Sequence, residues 1–483
     1  MMSKAFVQQL LHYICLSGFL VACLASCANR PQSTAASTLA IVGGTVVHPQ
    51  HDAARAVAPN SVIVVTDGRI SAVGSADSVP IPAGAKVVDA RGKWIVPGLI
   101  DAHVHFFQSG NLYTRPDAAD LRTAMPYARE VARNQARLAA TFKVYLASGV
   151  TSVVDIGGPF WNFDVRDAAQ RSPAAPRMSV AGPLISTVDD PPLDLGDPPI
   201  IKITTADEAR ALVRRELARQ PDYIKVWFIY RSDADLPAQE IIVKAAADEA
   251  HAAGTPLAVH ATQLVVAKAA LRAGADYLVH SVDDALVDDE FLRLAIARRI
   301  VYCPTLFVVS GYRLALSNTW KPTPAELRLG DPEILAAMDD LSRIPREIIP
   351  DRVLKSMANP PSAEPSDFAM KNLRKVWDAG IPVAMGTDAG NIGTLHGPSV
   401  FREMSLMQQA GLTPLEVLRS ATVNGAKAAR HENDVGIIDT GRFADMVLLD
   451  ADPLIDVMNL SRVYRVIKGG SVFDPDELIR SIR

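Results

Sequence analysis

"HAAGTPLAVH", residues 251–260, holds a helix end, a glycine, a short apolar run and a polar terminus within ten residues. The same unit recurs in "LASGVTSVVD" (146–155), "LRAGADYLVH" (271–280) and "WDAGIPVAMGTD" (377–388). In each, a helix stops at a glycine suited to its left-handed C-cap, a β run follows, and a polar side chain stands where that run ends. The register is held: Gly149 to Asp155, Gly254 to His260 and Gly274 to His280 are each six residues apart. Repeated units of this kind predict a parallel sheet. About eight such strands can be placed, which favours a closed (β/α)8 TIM-like barrel over an open sheet. They are "LIDAHVHF", "TSVVDIGG", "RMSVAG", "DYIKVWF", "PLAVHAT", "DYLVHS", "IVYCPTLFV" and "PVAMGTDAG". Polar residues at the C-terminal ends of these strands then share the barrel mouth.

Outside this α/β region the texture changes. Residues 39–96 read as short strands with turn signals, and Asp67-Gly68 between alternating apolar runs is a hairpin signal. Similar strands return only in "GRFADMVLLD" and "VYRVIKGGSVFD" near the other end. Neither flank has enough strands for a sandwich alone, so 39–96 and 434–478 are predicted to build one composite β-sandwich, with the barrel spanning 97–433. Two insertions depart from a minimal barrel: the acidic, Pro-rich "STVDDPPLDLGDPP" and the stretch from Ser310 to Asp367. Long loops on the functional face are lid candidates.

Composition narrows the partners. The chain has 483 residues, 49% hydrophobic and 21% charged, with net charge −4. It can bury a large core, and it lacks the basic field that nucleic acid or an anionic membrane surface requires. The expected partner is a small molecule; the sequence leaves the oligomeric state open.

At the N-terminus, Lys4 precedes an apolar run too short and too polar-flanked to span a bilayer, and the run closes on "LASC", residues 24–27. This resembles a bacterial lipoprotein signal (1–27) with Cys27 lipidated, followed by the tether 28–38. An overlapping candidate ends at Cys23, followed by a poorer tether. The expectation is an exported protein, lipid-anchored in the periplasm or cell envelope. Of four cysteines, only Cys303 lies beyond the leader, so no internal disulfide is predicted.

The strand-end residues carry the chemistry. In "WIVPGLIDAHVHF" (94–106), His103 and His105 sit at i and i+2 and so share one face of a strand. Lys225 lies in the fourth predicted strand, His260 ends the fifth, His280 the sixth and Asp388 the eighth. Four histidines, a lysine and an aspartate at one mouth have no common structural reason. Nitrogen and oxygen donors without thiolate suit zinc, with iron, manganese and cobalt also compatible.

"PGLIDAHVH", "IKV", "VHA", "VHS" and "GTDAG", in this order, resemble the metal-dependent amidohydrolase superfamily. "TLHGPSVFREMSLMQQAGLTPLEVLRSATVNGAKAAR" is similar to its prolidase-like and imidazolonepropionase-like branch. By that resemblance His103, His105 and Asp388 hold one divalent metal, and His260 and His280 a second. Lys225, carboxylated by carbon dioxide, bridges them together with a hydroxide, and the implied activity is hydrolysis of peptide-like amide bonds, as in a dipeptidase. An ammonium repels a metal whereas a carbamate supplies two anionic oxygens, so a buried lysine there is explained only when modified or neutral. Asp388 can take a proton from the attacking water and pass it to a leaving amine.

Weaker expectations complete the site: His396 as an oxyanion partner, and Tyr230 with Arg231 as binders of a substrate carboxylate. Two rival readings remain: a mononuclear deaminase or cyclic amide hydrolase, against which Lys225 weighs, and a non-catalytic solute-binding lipoprotein, against which the complete ligand set weighs.

Overall fold

The computed structural model describes residues 38–483, so the leader, Cys27, Cys23 and nearly all of the tether lie outside the described residues. The chain enters through β1 (Thr38–Val47), β2 (Val57–Thr66), β3 (Arg69–Ser75), β4 (Lys86–Asp89) and β5 (Trp94–Pro97). Asp67 and Gly68 both take positive φ, 50° and 81°, in the two-residue turn that pairs Thr66 with Arg69. That is the primed hairpin geometry which Asp-Gly favours.

The parallel strands follow: β6 (Leu99–Val104), β7 (Val150–Asp155), β8 (Arg177–Val180), β9 (Leu184–Ser186), β10 (Ile200–Lys202), β11 (Ile224–Trp227), β12 (Leu257–His260), β13 (Tyr277–Val279) and β14 (Val301–Cys303). They form one sheet in the order β6-β7-β8 and another in the order β10-β9-β11-β12-β13-β14. Parallel bridges extend the pattern between Ala181 and Tyr223, Tyr302 and Val383, and Val104 and Ala389. The eighth expected strand is no regular strand, yet Tyr302 N–H donates to Pro382 O and Ala102 N–H to Met385 O, both at 2.9 Å. Segment 382–389 is therefore hydrogen-bonded to β14 on one side and β6 on the other.

The glycine reading holds at each repeat: Gly149, Gly254, Gly274 and Gly380 have φ of 77°, 73°, 120° and 76°. Before β14 the same left-handed step is taken by Arg299 at φ 55°, where no glycine signals it. One expectation is corrected here. The strand read as "IVYCPTLFV" ends at Cys303, and Val308 already begins the helix Val308–Leu316. The acidic loop is flanked by β9 and β10, which pair with each other.

β15 (Met446–Leu449), β16 (Val463–Lys468) and β17 (Ser471–Phe473) complete the outer β structure. β15 runs antiparallel to β5, with Met446 opposite Pro97 and Leu449 opposite Trp94, so the two chain ends share one sheet. Where a two-sheet sandwich was predicted, the hydrogen bonds run through a single eight-stranded sheet, β17-β16-β15-β5-β1-β2-β3, with β4 branching from β1. The cause is the length of β1: its first half pairs with β4 and its second half with β5, with register shifts against β2 on either side of Gly44. Ile41, Ile63, Ile95, Met446, Leu448 and Ile467 form its core. Among the described residues no helix is long and apolar enough to cross a membrane.

Candidate metal centre and its pocket

β6 delivers His103 and, one step past its end, His105, both buried. The His105 Nδ1–H donates to Gly157 O at 2.6 Å, which leaves the Nε2 lone pair facing inward. His103 Nε2 lies 3.2 Å from it, and Asp388 Oδ1 lies 3.3 Å from His103 Nε2 and 3.1 Å from His105 Nε2. His280, just past the end of β13, has its ring centroid 4.9 Å from that of His103, tilted, and 4.4 Å from that of His260, edge-on, and its Nδ1 meets Thr305 Oγ1 at 2.8 Å. Donor atoms of His103, His280 and Asp388 all fall within 4.8 Å of one another. His280 and Asp388 adopt left-handed backbone, φ 76° and 61°. Such conformations in non-glycine residues cluster at functional sites.

Burial keeps the imidazoles neutral, holding His103 and His260 well below the ordinary value and lowering His280 to about 4. Neutral imidazole is the ligating form. Lys225 on β11 is 1% exposed, with no ion pair or hydrogen bond among the described residues, and burial pushes its ammonium down to about 7. The geometry fits a cation. Metal–nitrogen bonds of 2.0–2.1 Å in a tetrahedron place ligand atoms roughly 3.3 Å apart, which is the spacing of the His103, His105 and Asp388 donors.

Lys225, His105, His260, His280 and Asp388 line a cavity of about 310 Å³. Three other expectations fare differently. His396 turns away from that cavity: Nε2–H donates to Gln108 O and Nδ1 accepts from the Tyr145 hydroxyl, each at 2.8 Å, with the ring stacked on Phe106. Tyr230 donates to Asp233 at 2.9 Å and Arg231 is exposed; neither lines the cavity, because the chain leaves the sheet after Trp227. In their place stand residues that the sequence reading missed. Arg115, from the loop after β6, and Tyr312, from the inserted helix, both line the cavity and both donate to Asn391 Oδ1, at 2.9 and 2.6 Å. Asn391 Nδ2 donates to Asp388 Oδ1 at 2.7 Å. Nothing periodic marks these positions; only the placement of Asn391 three residues after Asp388 was a signal.

Parallel strands whose C-terminal ends gather neutral imidazoles, a carboxylate and a bare buried lysine define a candidate metallohydrolase. The chain belongs to the amidohydrolase family, whose profile matches residues 94–473. It is 23% identical over 463 residues to the imidazolonepropionase of Symbiobacterium thermophilum, covering 88% of this chain and 92% of that protein. Against the imidazolonepropionase of Geobacillus sp. (strain WCH70) the identity is 34%, but over 106 residues that make up 21% of this chain and only 24% of that protein. A solved Xaa-Pro dipeptidase with bound methionine in its active site superposes with TM-score 0.66 at 24% identity, covering 91% of this chain and 100% of that one. This last likeness is one of fold.

Proposed function

We infer that the protein is a binuclear metal-dependent hydrolase that cleaves the amide-type carbon–nitrogen bond of a small, dipeptide-sized substrate. The observation that carries this reading is the facing of the His103, His105 and Asp388 donors beside a buried Lys225 that makes no ion pair among the described residues. His103, His105 and Asp388 would hold one ion, and His260 and His280 the other. Lys225 would join both as a carbamate, which needs the neutral amine that its burial favours. The ions, when bound, polarise the scissile carbonyl and acidify a water. Asp388 moves the proton from that water toward the leaving nitrogen, Asn391 fixes the carboxylate for that task, and Thr305 orients His280. Segments 99–106 to 382–389 are proposed to close as a (β/α)8 barrel over 97–433, beside a composite β domain of 39–96 and 434–478.

The test is metal content and turnover measured together on purified, metal-replete protein, against dipeptides, N-acyl amino acids, lactones and cyclic ureas. Two metals per chain with amide hydrolysis supports the reading. One metal per chain with deamination or ring opening favours the mononuclear alternative, toward which the imidazolonepropionase relatives point.

A further inference from the structure

We propose that the substrate is an uncharged amide flanked by bulky apolar groups, and not a zwitterionic free dipeptide. This rests on the amide-hydrolase reading and adds to it the substrate class.

Charge is the first argument. A carboxylate anchor needs a guanidinium fork that is free, and Arg115 has none: Nε and Nη2 bind both oxygens of Asp117 at 2.8 and 2.5 Å, and Nη1 is spent on Asn391 at 2.9 Å. Arg313 lies exposed at the rim, bound to the carbonyls of Ser362 and Glu364, with Asp283 as its acidic neighbour. Apart from Lys225, which stands among the proposed metal ligands, Arg313 is the one lysine or arginine of the lining without an ion pair among the described residues, and it stands exposed with the carboxyl of Asp283, also in the lining, to offset its charge. A buried charged group without a partner is strongly disfavoured.

Shape is the second. Phe107, Leu184, Leu193, Ile200 and Trp227 make one apolar wall of the cavity, continuous with the cluster that holds Tyr127 and Val131. Pro304, Leu306, Val308, Pro365 and Ala369 make another, beyond β14. In the sheet order β12 and β13, which carry His260 and His280, separate these two walls. The acidic loop lends the lining none of its carboxylates. Asp197 accepts from the Phe160 and Trp161 N–H groups and Asp194 from Gly196 N–H, while Leu193 from the same loop is 2% exposed and lines the cavity. A cavity of about 310 Å³ suits one amide with a ring on one side and a branched chain on the other.

The experiment uses metal-replete protein and three probes that each carry one amide bond. They are N-(phenylacetyl)isopentylamine, N-(phenylacetyl)leucine, which is the same molecule with a carboxylate added, and N-acetylglycine. The expected kcat/KM of the first lies within about threefold of the second or above it, and both exceed N-acetylglycine by about tenfold or more. Leu193→Asn should lower turnover of the phenylacetyl pair by about tenfold while metal content is unchanged. Calorimetric binding of the same probes separates the two readings. Apolar-ordered binding without hydrolysis sinks the hydrolase reading and leaves this one standing; hydrolysis that favours the carboxylate by tenfold, or N-acetylglycine equally, does the reverse. Absence of binding by the phenylacetyl compounds overturns this proposal outright.

Discussion

Asn391 holds Asp388 at two atoms, its Nδ2 donating to the carboxylate Oδ1 at 2.7 Å and to the backbone carbonyl at 3.1 Å. The first contact is charge-assisted and the second steadies a residue kept at φ 61°. Because the same amide's oxygen accepts from Arg115 and Tyr312, a pocket-lining loop and the helix Val308–Leu316 set the orientation of the proposed proton carrier.

Asn391→Ala should therefore lower kcat by about tenfold or more with a smaller change in KM, since a hydrogen bond to a charged group is worth roughly 1.5 to 3 kcal/mol. Steady-state kinetics beside metal analysis checks this. Unchanged kcat would remove Asn391 from the positioning role.

Lys225 and Asp388 should separate cleanly. Lys225→Ala is expected to lose metal and activity together, with partial recovery of both when a short-chain carboxylic acid is added. Asp388→Asn should retain much of its metal because five proposed ligands remain, while kcat falls by roughly 10²-fold or more. Two metals and near-normal turnover in Lys225→Ala would favour the mononuclear reading.

Thr305 supports His280 from behind, hydroxyl to Nδ1 at 2.8 Å. Outer partners of this kind are worth about 10- to 100-fold in metal affinity. Thr305→Val should weaken retention against a chelator by that range, and Thr305→Ser should restore it; equal retention in all three proteins would deny Thr305 the role.

His396 is expected to govern stability. Burial lowers its pKa to about 4, so the folded protein resists a proton that the unfolded chain takes up near the ordinary 6.5. The associated stability is present above pH 6.5 and lost as pH falls toward 4, about 3 kcal/mol in all. His396→Gln should flatten this acid limb in denaturant titrations and change kcat/KM by less than about threefold. A hundredfold loss of kcat in a stable variant would return His396 to the oxyanion role.

Cys27 lies outside the described residues, and its lipidation is proposed from the sequence alone. Mass spectrometry of membrane-extracted protein should find a lipidated Cys27 at the mature N-terminus, and Cys27→Ala should release the protein from the membrane. An unmodified start elsewhere, or a modified Cys23, would redirect the assignment.

Periodic and strand-end features were legible without coordinates, because they are written locally. A left-handed helix stop wants glycine, a strand alternates its faces, and a residue at the strand end projects beyond the sheet, so His103, His105, Lys225, His260, His280 and Asp388 could be assigned to one mouth from spacing. The pocket lining had no such signature. Arg115 and Asn391 meet across 276 positions, and Tyr312 reaches Asn391 from the inserted helix; these contacts depend on how irregular loops pack. Nearness in sequence also misled. Tyr230 and Arg231 follow Lys225 by a few residues, yet the chain turns outward toward Asp233, and His396 follows Asp388 closely, yet its ring folds back between Tyr145 and Gln108. The gathering of the proposed ligands at one mouth was legible from local geometry repeated along the chain, whereas the partners of each of those side chains and the charge balance of the pocket were decided by long-range packing, to which no single segment holds the key.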